Sequence, residues 1–334
     1  PIGCAVDFVC RLLHLKIISL KKPLQIGLCN KAYLIFKFFK PFYRIFSNLF
    51  HFNFIVKSQN KKEYTMKRMI FSLMINSICI SSWAACSYNF DATTAEIQQM
   101  IGNPIPPAKK FPYLNGATAS FLLESSSYQY HASTSAFAQS YKNYINGTNN
   151  TILGDKNLSS TGKYAVELKI DNFADIPTGS YSGNQSGVYT LGYNFYGIKN
   201  GNLKYGGFVW LTNSDDTKTK KVYISFSDLG AGINYEKEFD IAYSSANNYK
   251  IGLYLDQDSK QIGINLNGID KGYINNTPLS DSATQISFQM FGLIGGYPTS
   301  LLGTYQPTET LIFERSRMSL NYSSNTKDIC GNTI

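Results

Sequence analysis

Between Tyr249 and Ile274 apolar and polar residues alternate with the two-residue period of a strand that has one buried face. Tyr249, Ile251, Leu253 and Leu255 fall on one side, and Lys250, Gly252, Tyr254 and Asp256 on the other. Gln257-Asp258-Ser259-Lys260 suits a tight reversal, after which Ile262, Ile264 and Leu266 alternate with Gln261, Gly263, Asn265 and Asn267. Asn267-Gly268 then turns the chain again, because both residues tolerate the positive φ that such turns require. The stretch predicts an antiparallel hairpin with one face in the core and one in water.

The same period recurs elsewhere. Tyr164, Val166, Leu168 and Ile170 alternate with Lys163, Glu167, Lys169 and Asp171, and an aromatic strand runs from Val188 to Tyr196. Tyr205 to Thr212 is expected to pair with Lys221 to Phe226 across the charged tip Ser214 to Lys218. Lys237, Phe239, Ile241 and Tyr243 alternate with Glu236, Glu238 and Asp240, and further strands are expected over 285–291, 310–314 and 316–322. Between Asn115 and Leu158 the chain is rich in Ser, Tyr, Asn and Ala, and reads as long polar loops with weak strands near 119–123 and 128–132. One short helix is expected near the front, where Thr93 and Glu96 stand at capping-box spacing and Ile97, Met100 and Ile101 follow at helical intervals before Gly102. Roughly ten strands with no dividing linker make one all-β domain over residues 85–334, large enough for a full core.

The hairpin sequence GLYLDQDSKQIGINLNG, followed by DKGYI, resembles a motif shared by concanavalin-like, laminin-G-like and SPRY-like sandwiches. The resemblance covers about a tenth of the chain. It implies a single jelly-roll-like antiparallel β-sandwich and carries no chemistry. The stretch ACSYNFDATTAEI, residues 85–97, is similar to an uncharacterised family of secreted proteins from Acinetobacter-like bacteria, again with no activity attached.

Residues before Met66 are crowded with Phe, Lys, Ile, Leu and Asn and carry no capping or turn grammar. They read as upstream translation or a segment absent from the mature protein, with a basic amphipathic anchor as the alternative. From Met66 the pattern is that of an export signal: Lys67 and Arg68, then the apolar run Ile70 to Ile80, then Ser82-Trp83-Ala84 as a small-x-small cleavage site. A mature chain beginning at Ala85 is expected in the periplasm, on the outer surface or outside the cell, without a transmembrane span.

That boundary changes the charge argument. Residues up to Ala84 hold thirteen Lys and Arg against two acids, a net +11, so the overall +9 leaves −2 for the mature part. The basic total is therefore no sign of nucleic-acid binding. Cysteines divide the same way, leaving Cys86 and Cys330 near the two ends, a pair that reads as a disulfide in an oxidising compartment. The rival processing is acylation of Cys86, since Trp83-Ala84-Ala85-Cys86 looks like a lipobox with a poor first residue.

Candidate chemistry is sparse. Glu236, Glu238 and Asp240 would project from one face of a strand, a distant echo of the carboxylate set of concanavalin-like retaining glycosidases, though the order departs from that pattern and Lys237 intervenes. The competing reading is a solvated strand face. Asp256 and Asp258, with Asp215 and Asp216, offer oxygen ligands for calcium, but Lys260 sits where a third ligand belongs and turn chemistry alone accounts for aspartates there. His131, the one mature-chain histidine, reads as a surface residue. Tyr189, Tyr193, Tyr196, Tyr205 and Trp210 lie on or beside consecutive strands, with Asn194, Asn213 and Asn265 in the same wet alternation. Flat rings stack on sugar faces while amides bond hydroxyls, so Tyr193, Tyr196, Trp210 and Asn213 are the expected ligand contacts. Filling the core is the competing role for each ring.

The sequence thus predicts a protein that binds a carbohydrate or other surface ligand without catalysis and needs no cofactor. The alternatives are a polysaccharide-cleaving glycoside hydrolase and a pilus, biofilm or envelope subunit that pairs through exposed strand edges.

Overall fold

The computed structural model describes residues 88–124, 126–173, 188–213, 220–241, 248–295, 302–303 and 306–334, all within the unit Trp83–Ile334. These residues form an antiparallel jelly-roll-like β-sandwich. Sheet A runs, in spatial order, β1 (Ala108–Lys110), β4 (Tyr128–Ala132), β14 (Gln285–Gly295), β7 (Val188–Lys199), β8 (Asn202–Asn213), β9 (Lys220–Asp228) and β10 (Ile233–Ile241). A short β5 (Lys156–Asn157) pairs with β14. Sheet B runs β13 (Ile269–Tyr273), β12 (Gln261–Leu266), β11 (Tyr249–Asp256), β6 (Lys163–Asp171), β15 (Thr308–Ile312), β3 (Thr118–Ser120) and β2 (Tyr113–Asn115). Beside β6 also lies β16 (Thr326–Asp328); only β16–β6 and β1–β4 are parallel among the described pairs.

The core forms where the inward sets of the two sheets meet. Leu191, Tyr193 and Phe195 of β7, Val209 and Leu211 of β8, and Val222, Ile224 and Phe226 of β9 come from sheet A. Val166, Leu168 and Ile170 of β6, Ile251 and Leu253 of β11, and Ile262 and Ile264 of β12 come from sheet B. All are buried, as the period-2 alternation requires when one side of a pleated strand meets a second sheet.

Among the described residues two α-helices flank the sandwich. The expected one, α1 (Thr94–Ile101), carries a full capping box: Thr93 accepts from the Glu96 amide, and the Glu96 carboxylate accepts from the Thr93 amide at 2.7 Å. The second, α2 (Ser135–Ile145), replaces part of the polar loop expected between 115 and 158. Thr134 caps it by accepting from the Phe137 amide at 3.1 Å. Phe137, Tyr141 and Tyr144 repeat at helical spacing and join Ile97, Met100, Ile152 and Ile198 in a separate apolar cluster against Tyr196 and Leu203 of sheet A.

Two expectations change on sheet B. The outer face of the central hairpin is covered around Gly252 and Asn265, while Lys250, Tyr254 and Gln261 stay half-exposed, because residues 314–322 cross it as a strap instead of forming the strand expected at 316–322. The strap starts with a 3₁₀ turn, Arg315–Arg317. Glu167, on the outer side of β6 and 1% exposed, accepts from the amides of Ser319 at 3.0 Å and Leu320 at 2.8 Å. Leu320 and Tyr322 lie over Gly252, where a Cβ would collide with both, and Asn265 donates to the Asn321 carbonyl at 2.9 Å.

Candidate functional site

With the outer face of sheet B strapped, the outer face of sheet A is the one that offers rings and amides together. Its register follows from the pairing. Phe291 of β14 stands opposite His131 of β4 and Gly192 of β7; Gly192 faces Trp210 of β8, Trp210 faces Tyr223 of β9, and Tyr223 faces Glu238 of β10. One residue row thus crosses six strands, about 24 Å at ordinary strand spacing. The neighbouring row is Gln289, Asn194, Phe208, Ser225 and Glu236.

Gly192 creates the room for this surface. A Cβ there would run into the Val209 carbonyl and the Trp210 backbone and ring, so the indole can settle over the gap left by the missing side chain. Trp210 stacks on Phe208 with centroids 3.7 Å apart and planes at 16°, and on Phe291 at 4.8 Å and 19°. Phe208, Trp210 and Tyr223 are half-buried, so the pile is supported from beneath and still reaches solvent. The indole Nε1 is buried without a hydrogen-bond partner.

Beside the rings lies an amide network. Gln289 Oε1 accepts from Asn194 Nδ2 and from the Tyr196 hydroxyl, each at 3.0 Å. Its Nε2 donates to His131 Nδ1 at 3.0 Å, which leaves His131 Nε2 to carry the proton and face Gln129 Oε1 at 3.3 Å. Burial pulls His131 down to about 4, so this imidazole is neutral at physiological pH and serves to orient Gln289. Behind Tyr196, Phe137 and Tyr141 of α2 pack at ring distances of 4.9 and 5.5 Å and hold the network in place.

At the far end β10 is an edge strand, and Glu236, Glu238 and Asp240 are exposed on the same outer face. Lys221 of β9 ion-pairs with Glu238, and this bond holds the Glu238 carboxyl below the usual carboxylate range. Lys237 turns away, donating to the Tyr273 carbonyl of sheet B at 2.9 Å.

The expected site residues therefore separate. Trp210 is on the face. Tyr196 faces the same way, but its ring is wedged against α2 and its hydroxyl is spent on Gln289, which makes it a support. Tyr193 has 0% exposure, lies in the core with Tyr189 and Tyr205, and meets Phe288 edge-on at 5.8 Å, so it cannot touch a ligand. The period-2 register explains this: Tyr193 and Asn194 are adjacent and must point to opposite sides. The Asn213 side chain, Asp215 and Asp216 fall outside the described residues. Asn265 is buried on sheet B, on the other side of the molecule from Asn194.

Asp256 is committed to the hairpin. It accepts from the Tyr273 hydroxyl at 2.6 Å and the amides of Asp258 and Ser259 at 3.1 Å, with Lys163 Nζ at 3.3 Å, while Asp258 accepts from the Gly162 amide at 3.0 Å. These are turn bonds, and among the described residues no group of three or more His, Cys, Asp or Glu is placed to hold a metal. His131 is a correction of a different kind, 3% exposed where a surface residue was expected. Phe208, Phe291 and Gln289 were overlooked; the alternation Phe208, Trp210, Thr212 was the available signal for the first of them.

A family model described as a domain of unknown function, DUF4882, matches residues 64–332. The chain belongs to the DUF4882 family. Among curated proteins none matches it. Solved structures similar to this DUF4882 chain include the CBM2 module of the evolved Dit protein of Lactobacillus casei BL23 phage J-1, at 12% identity and a TM-score of 0.35, over 67% of this chain and 86% of the module. A Bacillus licheniformis beta-glucanase is 14% identical with a TM-score of 0.27, over 45% of this chain and 64% of the enzyme. The PL7 alginate lyase AlyA1 of Zobellia galactanivorans is 13% identical with a TM-score of 0.29, over 45% of this chain and 60% of the lyase. The chain thus spans less than two thirds of either enzyme, and scores this low leave the function of the DUF4882 chain to its own residues.

Proposed function

We propose that the protein binds a carbohydrate across the outer face of sheet A and does not cleave it. The half-buried Phe208–Trp210 pair beside the Asn194–Gln289 amides carries this reading. Flat rings present a large apolar area at small entropic cost and match the C–H face of a sugar ring, while the half-buried Asn194 amide, held in place by the buried Gln289, is the one left to meet a hydroxyl.

Isothermal titration against the hits of a glycan array tests it. Trp210→Ala and Phe208→Leu are each expected to weaken binding tenfold or more, with far-UV circular dichroism unchanged. Undiminished affinity in both folded variants would remove the proposal, and a protein that binds no glycan on the array would return weight to an envelope or assembly role.

Hydrolysis is the second reading, because Glu236, Glu238 and Asp240 share the face with Trp210. A glycosidase pair needs one carboxyl that holds a proton at working pH, and Lys221 keeps Glu238 ionised. Released product that vanishes in Glu238→Gln while binding persists would favour the enzyme.

Export completes the proposal. It is supported by the signal-like run from Met66 to Ala84 and by the likeness of residues 85–97 to secreted proteins. Among the described residues no helix is long and apolar enough to cross a membrane. A disulfide between Cys330 and Cys86, which lies outside the described residues, is part of this reading. Intact mass of the exported chain discriminates the fates of Cys86: loss of two protons marks the disulfide, added acyl mass a lipid anchor.

A further inference from the structure

The ring row on sheet A has two chemically different ends. At the β4 end His131 is neutral and sealed, with Gln129 and Gln289 as its polar neighbours and Lys110 of the edge strand β1 opposite it. At the β10 end three carboxylates stand on alternate residues, roughly 7 Å apart along the strand, each directly opposite a residue of β9: Glu236 opposite Ser225, Glu238 opposite Tyr223, and Asp240 opposite Lys221. Among the described residues of β9 and β10, Lys221 is the one cation on this face, since Lys237 bonds Tyr273 of the other sheet and Lys220 is buried with its Nζ on the Phe173 carbonyl. One lysine against three exposed carboxylates leaves net negative charge where the ring row ends. Tyr223 and Glu238 are neighbours in that row, so a polymer lying on Trp210 and Tyr223 runs directly into the carboxylates.

We propose that the ligand is a hexosamine polymer with free amino groups, its sugar faces on Phe208, Trp210 and Tyr223 and an ammonium group at Glu236, Glu238 or Asp240. This deepens the carbohydrate-binding reading and rests on it. An ammonium group on the sugar ring is compatible with both halves of the surface, because it leaves the C–H face free to stack while its charge meets an exposed carboxylate. A uronate polymer meets the opposite condition: its carboxylates are repelled by the acidic edge. A neutral or N-acetylated polymer keeps the stacking and loses the charge contact. The carboxylates set the choice among sugars; the rings make the site.

The test uses three defined oligosaccharides of equal length, a glucosamine oligomer, its fully N-acetylated form and an oligouronate, titrated at mildly acidic pH where the amines are protonated. The glucosamine oligomer is expected to bind tenfold or more tighter than the acetylated form, and the uronate not at all. The advantage should shrink as salt is raised, because these charges are exposed and screened over about 8 Å at physiological ionic strength. In the combined variant Glu236→Gln, Glu238→Gln, Asp240→Asn the glucosamine oligomer should fall to the affinity of the acetylated one, with the acetylated form within twofold of wild type. Equal wild-type affinity for the two forms, or a preference that survives the combined variant, overturns the charge assignment and leaves sugar binding standing. Failure of all three to bind, with Trp210→Ala also without effect on any array hit, overturns both readings.

Discussion

Glu309 of β15 sits in an inward register position of sheet B, opposite Ile170, yet it is an acid; it is 1% exposed, and the Gly192 backbone offers its carboxyl no more than a weak hydrogen bond. Burial pushes its carboxyl well above the ordinary glutamate range, so the folded protein holds it protonated. In the unfolded chain the proton leaves above about pH 4.3. The contribution of Glu309 to stability is therefore whole below that pH and is lost as pH rises through the window between the unfolded and folded values, at about 1.4 kcal/mol per pH unit. Glu309→Gln cannot ionise, and its urea midpoint should exceed that of the wild type at neutral pH and converge with it near pH 4. A constant difference across that range would show that Glu309 does not ionise as its burial implies. His131 has the opposite sign: held down to about 4, it contributes stability above about pH 6.5 that is lost as pH falls through the interval between. At Gly192 the prediction is steric. Alanine would press on the backbone of β8 and tip Trp210, so Gly192→Ala should cost about 1–3 kcal/mol in denaturant unfolding and weaken sugar binding together.

Among the elements, α2 and the strap were the two that strand-period reading passed over. The helix is held by Thr134, whose hydroxyl caps Phe137 and also donates to Asp155, a half-buried carboxylate shared with the Tyr88 hydroxyl. Thr134→Ala removes the cap and one of the Asp155 partners, and is expected to lower stability by about 1–2 kcal/mol. For a domain of this size that is a few degrees in Tm at about 2–4 °C per kcal/mol, read by scanning calorimetry. The strap depends on Glu167, which takes the amides of Ser319 and Leu320. Glu167→Ala removes the acceptor shared by the Ser319 amide and the buried Leu320 amide, so amide exchange at Ser319 and Leu320 should accelerate by a larger factor than exchange in β7 or β8. Uniform acceleration across the sandwich would mean that Glu167 supports the whole fold instead of the strap. Thr134 stood one residue before a Ser-Ala-Phe run and Phe137, Tyr141 and Tyr144 were at helical spacing, but the surrounding polarity resembled a loop more closely than an amphipathic helix.

For the molecule as a whole, the two sheets divide their duties. Sheet B has the middle of its outer face crossed by the strap, and sheet A keeps a ring surface whose free edge, β10, carries alternating charges that discourage pairing with another sheet. Period-2 alternation fixed much of this from the chain alone, because a strand between core and solvent must segregate its residues: the hairpin over 249–266, the inward sets of β6 to β9 and the common side of Glu236, Glu238 and Asp240 all follow from it. The capping box of α1 was equally local, resting on two side chains three residues apart. Alternation does not say which side of a strand faces in when both sides carry rings, and that is where Tyr193 and Trp210 parted. It also cannot bring Phe291, about eighty residues beyond Trp210 in sequence, against the indole, or lay residues 314–322 over Gly252. Sequence determined the strands and their two-sidedness, because these depend on neighbours along the chain; tertiary structure decided which faces were filled, covered or left open, because those depend on strand order and on contacts between distant segments.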